Sequence, residues 1–221
     1  MIEKKIHYIW FGNKEYSKLI KKCMSSWQKN LPDYEFKLWN EENAPLEIAF
    51  VKDALEKKQY AFAADYVRSY ALYYEGGIYL DTDVEVIKDF EPLLSEEVFL
   101  GYESKDFANA AVVGSRKGHI LPQLLMEKLE SLDEFKTIPK IISEVLTENS
   151  ILLKENKITI YPQEYFYPYN PYDRERKNLE LMFMDITENT YAIHHWEKGW
   201  KLSGHDRFMY KIKKFLHNIK I

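Results

Sequence analysis

The stretch from Ala63 to Asp83 constrains this chain more than any other part of it. Ala63-Ala64-Asp65-Tyr66-Val67-Arg68 reads as helix, with an acid and a base at i and i+3 on one face. Gly76-Gly77 then ends the helix, and Ile78-Tyr79-Leu80 is a short apolar strand. Asp81-Thr82-Asp83 follows, so two carboxylates two positions apart project from one side of extended backbone. A helix feeding a strand that ends on acids belongs to an α/β construction.

Paired carboxylates at a strand end are a natural seat for a hard divalent cation, and such a cation holds a diphosphate. Asp81 and Asp83 therefore point to an enzyme that handles a nucleotide-activated substrate. Cleaving such a donor builds negative charge on the diphosphate, and Mg²⁺ or Mn²⁺ neutralises it as a Lewis acid. Taken alone, Asp-x-Asp also fits a turn or a solvated strand end, and the surroundings decide.

The rest of the chain continues the alternation of strand and helix. Ile6-His7-Tyr8-Ile9-Trp10 is a first strand closed by Phe11-Gly12-Asn13; Ser17 to Lys29 is a helix; Tyr34 to Trp39 is a second strand. Leu46 to Lys57 and Ala61 to Tyr74 read as helices, as do Leu121 to Leu132 and Ile141 to Leu146. Val84 to Ile87, Val98 to Tyr102, Ala110 to Gly114, Ile158 to Tyr161 and Tyr191 to His194 read as extended. The expectation is one domain over residues 1–205 and a basic amphipathic helix over 206–221. In that last segment Phe208, Met209, Ile212, Phe215, Leu216 and Ile219 share one face, with Lys211, Lys213, Lys214 and Lys220 on the remainder. Tyr161 to Tyr172 is dense in Tyr and Pro and reads as a stiff loop rich in rings.

Bulk properties narrow the classes. At 221 residues the chain can bury one substantial core. Its net charge of -4 argues against nucleic acid as the main partner. A single cysteine, Cys23, excludes an intramolecular disulfide and a cysteine-based zinc cluster. No signal-like N-terminus and no apolar window of membrane-spanning length stand out, so the expected location is cytoplasmic.

Ala63 to Arg68, the diglycine and Tyr79-Leu80-Asp81-Thr82-Asp83-Val84 together resemble the signature of glycosyltransferase family 32. The likeness extends to Ile6–Gly12, to Ser26-Trp27 with Pro32-Asp33-Tyr34, and to His194-His195-Trp196-Glu197-Lys198-Gly199-Trp200, in family order. It implies a GT-A fold, a single Rossmann-like nucleotide-sugar-binding domain with a mixed central sheet. It implies a divalent metal (Mn²⁺ or Mg²⁺), a UDP- or GDP-hexose donor, and transfer with retention of configuration. Carried over by residue, Trp10 would stack on the base, while Asp65 and Arg68 would bind the donor sugar's hydroxyls beside Tyr79. Asp83 would ligate the metal, and Asp81 would contact the ribose or the metal shell. Of His194 and His195 the expected metal or phosphate contact is His195, since alternation sends only one ring inward; Trp200 would close over the diphosphate. Gly199 stands where relatives commonly have Ser, and Ile138-Pro139 where they often have Gly-Pro.

Plainer readings accompany these. Trp10 fits a core ring, Asp65 and Arg68 a surface pair, and the Tyr/Pro segment either an acceptor platform or a cover over core. The basic tail over 207–221 would bind an anionic membrane surface, where a lipid-linked saccharide acceptor would reside, or pack on the domain with its lysines solvated. Two other functions are weighed. Leu80-Asp81-Thr82-Asp83-Val84 also resembles the nucleophile strand of a haloacid-dehalogenase-like phosphatase, in which Asp81 would attack phosphorus. A non-catalytic nucleotide-sugar-binding module is the third reading.

Overall fold

The computed structural model describes residues 1–132, 136–173 and 180–197. The β-prone run Lys5–Ile9 is β1, and Glu35–Trp39 is β2, paired with it in parallel. Between them α1 (Lys18–Asn30) begins where Ser17 Oγ accepts the Ile20 amide at 3.1 Å, a side-chain N-cap. Two helices, α2 (Ala49–Glu56) and α3 (Tyr60–Glu75), cross back to β3 (Gly77–Leu80), which pairs in parallel on the other side of β1. The diglycine does what the sequence requires of it. Gly76 and Gly77 both have positive φ (71° and 100°), and a Cβ on Gly77 would lie 2.7 Å from the Lys5 carbonyl oxygen.

Beyond β3 come β4 (Val84–Val86), β5 (Val98–Ser104), β6 (Phe107–Ser115), α4 (Ile120–Glu130), α5 (Ile138–Glu148), α6 (Ser150–Glu155), β7 (Ile158–Tyr161) and β8 (Ala192–His194). The main sheet has the order β2-β1-β3-β6-β5-β7, with β6 antiparallel to both its neighbours, so the sheet is mixed. β4 and β8 form a separate antiparallel ribbon. The helix expected over Ile141 to Leu146 is longer, because Pro139 lies in its first turn, where a missing N–H leaves no bond unmade. Helix α6 has no counterpart in the sequence reading.

Alternation along β3 divides the core. Tyr79 packs with α2, α3, α4 and α5 on one face, and Ile78 and Leu80 pack with Trp27 of α1 on the other. Asp81 therefore leaves β3 on the α3 face. Helix α1 holds the edge of β4 that β8 leaves open: Trp27 Nε1 donates to the Val84 carbonyl at 2.6 Å, Asn30 Nδ2 to that of Val86, and Ser26 Oγ accepts the Val86 amide. Every group on that short edge is thus paired, and the turn carrying Asp83 is fixed to the domain.

The Tyr/Pro segment enters the core over its middle residues, 166–170. Phe166 and Tyr167 are fully buried, with Phe166 stacked on Phe99. Cys23 is buried, and burial pushes its thiol up to about 12. The segment 206–221 and Trp200 lie outside the described residues. Among the described residues no helix is long and apolar enough to cross a membrane.

Candidate active site

Three elements converge at the end of β3. Helix α3 supplies Asp65 and Arg68, each about 5% exposed, with Arg68 Nη2 donating to Asp65 Oδ1 at 2.9 Å. The same nitrogen reaches Asp81 Oδ1 at 3.4 Å, and the guanidinium lies 4.5 Å over the Tyr79 ring. Tyr79 donates its hydroxyl to Asp81 Oδ1 at 2.7 Å. One oxygen of Asp81 is thus fixed by two donors while Oδ2 points on towards His194, 4.0 Å away. The surface-pair reading of Asp65 and Arg68 is excluded by their burial.

Asp83 is placed by its own loop and by the chain after β8. Its Oδ2 accepts the Glu197 amide at 2.7 Å, its carbonyl accepts the His195 amide, and its Oδ1 faces His194 Nε2 at 3.3 Å. Asp81, Asp83 and His194 each offer a ligand atom, all within 4.8 Å of one another. The expectation for His195 is corrected here. Pairing of His194 with Val84 turns the His194 ring inward, and alternation sends His195 the other way, where its Nε2 lies 2.8 Å from Glu85.

The electrostatics follow from burial and pairing. Burial works against the charged forms of Asp83 and His194, but each outweighs it for the other: Asp83 is held below the usual carboxylate range and His194 above that of a free imidazole. Burial pushes Asp65 up to about 7 against the pull of Arg68. Burial also opposes the charge on Arg68, yet Tyr79, Asp81 and Asp65 keep it a firm cation. Among the described residues Arg68 Nε and Nη1 and His194 Nδ1 are buried without a hydrogen-bond partner. Buried polar groups left unpaired among the described residues call for a partner from elsewhere, a ligand among them.

Trp10 is not core. It is half-buried at the end of β1, its indole N–H donating to the Lys14 carbonyl and its ring set edge-on to Tyr16. Since β1, β2 and β3 run in parallel, Trp10 and Asp81 leave the sheet at the same edge. Sequence reasoning singled out neither Trp196 nor Tyr167. Trp196 lies 4.2 Å from the His194 ring and has φ of 57°, the left-handed turn that brings the Glu197 amide to Asp83. Tyr167 sets its ring edge-on to His194 and accepts the Val112 amide. Its place amid Tyr and Pro residues without periodicity hid it.

A family model described as "Glycosyltransferase sugar-binding region containing DXD motif" matches residues 17–100, which include the α3 pair and both carboxylates. That region of the chain is similar to the DXD-bearing sugar-binding region of glycosyltransferases. The chain is 32% identical over 142 residues to inositol phosphoceramide mannosyltransferase 3 of Schizosaccharomyces pombe, covering 61% of this chain and 38% of that protein. It is 30% identical over 113 residues to the mannosyl phosphorylinositol ceramide synthase SUR1 of Saccharomyces cerevisiae, covering 49% of this chain and 30% of that protein. The chain thus spans about a third of the length of these curated relatives. Among solved structures, the PaToxG glycosyltransferase superposes with a TM-score of 0.56 at 20% identity, covering 70% of this chain and 73% of that one. The fold is the GT-A fold of glycosyltransferases. The match over residues 17–100 and the fold favour the transferase reading of Leu80 to Val84 over the phosphatase one.

Proposed function

We propose that the chain is a family 32-like glycosyltransferase that moves a hexose from a UDP- or GDP-sugar to a glycan or lipid-linked saccharide, with retention and with Mn²⁺ or Mg²⁺ as cofactor. The observation that carries the reading is the convergence of Asp81 Oδ2, Asp83 Oδ1 and His194 Nε2 beside a buried arginine with unpaired donors. Two carboxylates and an imidazole suit a divalent ion of the Mn²⁺ kind. Asp81, Asp83 and His194 would hold it, and when bound it supplies Lewis-acid neutralisation of the leaving diphosphate.

The chain's own residues do the rest. Arg68, kept charged and pinned by Asp65, directs Nε and Nη1 at oxygens of the donor, adding fixed positive charge where negative charge develops. Tyr79 and Arg68 orient Asp81. Trp10 is the platform assigned to the nucleobase, and Trp200 the residue assigned to closing over the diphosphate. Names of the curated relatives, which specify mannosyl transfer to inositol phosphoceramide, favour a mannosyl donor and a lipid acceptor. A cytoplasmic placement at an anionic membrane face, through 207–221, fits such an acceptor and remains part of the proposal.

The test is nucleoside diphosphate release from a panel of UDP- and GDP-hexoses in Mn²⁺ without acceptor. One donor should be slowly hydrolysed, and Asp83→Ala should abolish the release while leaving the unfolding midpoint within a few degrees. Release that survives Asp83→Ala removes the metal assignment.

A further inference from the structure

One carboxylate near the site has no part in the chemistry above. Glu103 lies where β5 breaks its regular pairing with β6, between the partners Tyr102↔Ala108 and Ser104↔Phe107. Such irregularities re-aim a side chain, and here Glu103 is half-buried while Tyr102 is exposed. Asn109 Nδ2 donates to the carboxylate at Glu103 Oε2, and Asn170 Nδ2 holds the backbone beside it, donating to the Glu103 carbonyl at 3.2 Å.

Asn109 is itself fixed, buried to 6% exposure, with Oδ1 accepting the Ala111 amide at 2.9 Å. The Ala111 carbonyl in turn accepts the Asp81 amide at 2.9 Å. Three hydrogen bonds thus tie Glu103 to the backbone of the metal-holding acid. Strand β5 runs in the same direction as β3 with β6 between them, so Glu103, near the end of β5, lies at the sheet edge from which Asp81 projects. Burial holds Glu103 above the usual carboxylate range. A protein that needed only β-sheet at this hairpin would gain nothing from burying and orienting an acid there.

Building on the proposed glycosyl transfer, we infer that Glu103, oriented by Asn109, accepts a hydrogen bond from a sugar hydroxyl at the reaction centre and so helps set sugar specificity. The hydroxyl belongs either to the donor hexose or to the acceptor saccharide; both present the same O–H donor. Asn109 is the positioning residue. It leaves Glu103 Oε1 as the atom that faces the sugar.

The discriminating variant is Glu103→Gln in the full chain. Asn109 Nδ2 donates and so selects the amide oxygen, leaving an NH₂ where a hydroxyl requires an acceptor. The donor identified by nucleoside diphosphate release is used in Mn²⁺, together with whichever methyl α-glycoside of mannose, glucose or galactose most accelerates that release in the wild type. Losing a hydrogen bond to a charged group corresponds to roughly 10- to 100-fold. A rise of that size in the glycoside KM, with donor hydrolysis unchanged, assigns the hydroxyl to the acceptor. The same rise in the sugar-nucleotide KM, with the Kd of the free nucleoside diphosphate unchanged, assigns it to the donor. Asn109→Ala should reproduce the affected KM in weaker form. Both KM values within twofold of wild type overturn the inference while the transfer reading stands. A wild type that hydrolyses no donor overturns the transfer reading itself.

Discussion

His7 offers a quantitative test of how the sheet is held, because its two ring nitrogens have partners that allow one protonation state. Trp39 Nε1 is only a donor and points at Nδ1 from 3.0 Å, so Nδ1 must carry a lone pair. The Gly76 carbonyl is only an acceptor and lies 2.8 Å from Nε2, so Nε2 must carry the proton. A second proton would set an N–H against the indole N–H. Burial, the largest cause, lowers the imidazole from 6.5 to about 4. A histidine depressed in the fold contributes stability that is fully present above 6.5 and is lost as pH falls from 6.5 towards 4. At about 1.36 kcal/mol per pH unit the whole contribution is about 3 kcal/mol. About 2 kcal/mol of it is gone by pH 5. Urea unfolding of wild type and His7→Gln at pH 7 and pH 5 isolates the effect, since all other titrating groups are common to both. The wild type should lose about 2 kcal/mol more than the variant across that interval. Equal losses would refute the assigned tautomer and the buried neutral ring.

Arg68→Lys keeps a charge but loses the planar fork that spans Asp65 and Asp81 and stacks on Tyr79; donor turnover should fall by about tenfold or more, and a value within twofold would contradict the role. Trp27→Phe leaves the Val84 carbonyl without its 2.6 Å donor; unfolding free energy should drop by about 1–3 kcal/mol, and Mn²⁺ affinity should fall with it as the turn loosens. A Cβ on Gly114 would fall within the Phe99 ring, so Gly114→Ala should lower stability by about 1–3 kcal/mol in chemical denaturation, whereas an unchanged midpoint would contradict the packing of β5 on β6.

Much of this was legible in the chain because the signals were local. Residues Ala63 to Asp83 announced a helix, a stop and an acid-bearing strand, and α3, Gly76-Gly77 and β3 have those places. Asp65, Arg68, Asp81 and Asp83 come together as a unit. What escaped was set by tertiary pairing. Alternation allowed one of His194 and His195 to face inward, but only the register of β8 on β4 selects His194. Phe166 and Tyr167 lie in a segment without periodicity, so their burial against Phe99 and His194 had no local sign. Glu103 went unnoticed, because a pairing irregularity and a partner six positions on are invisible to composition. Helix α6 has only 6 residues and follows α5 almost directly, too short a run for its periodicity to stand out.

Anomalous scattering from crystals grown with Mn²⁺ and UDP or GDP probes the centre of the account. The account predicts one strong manganese peak within coordinating reach of Asp81, Asp83 and His194, with diphosphate oxygens completing its shell. A manganese peak lodged away from these three side chains, with the nucleotide bound, would contradict it.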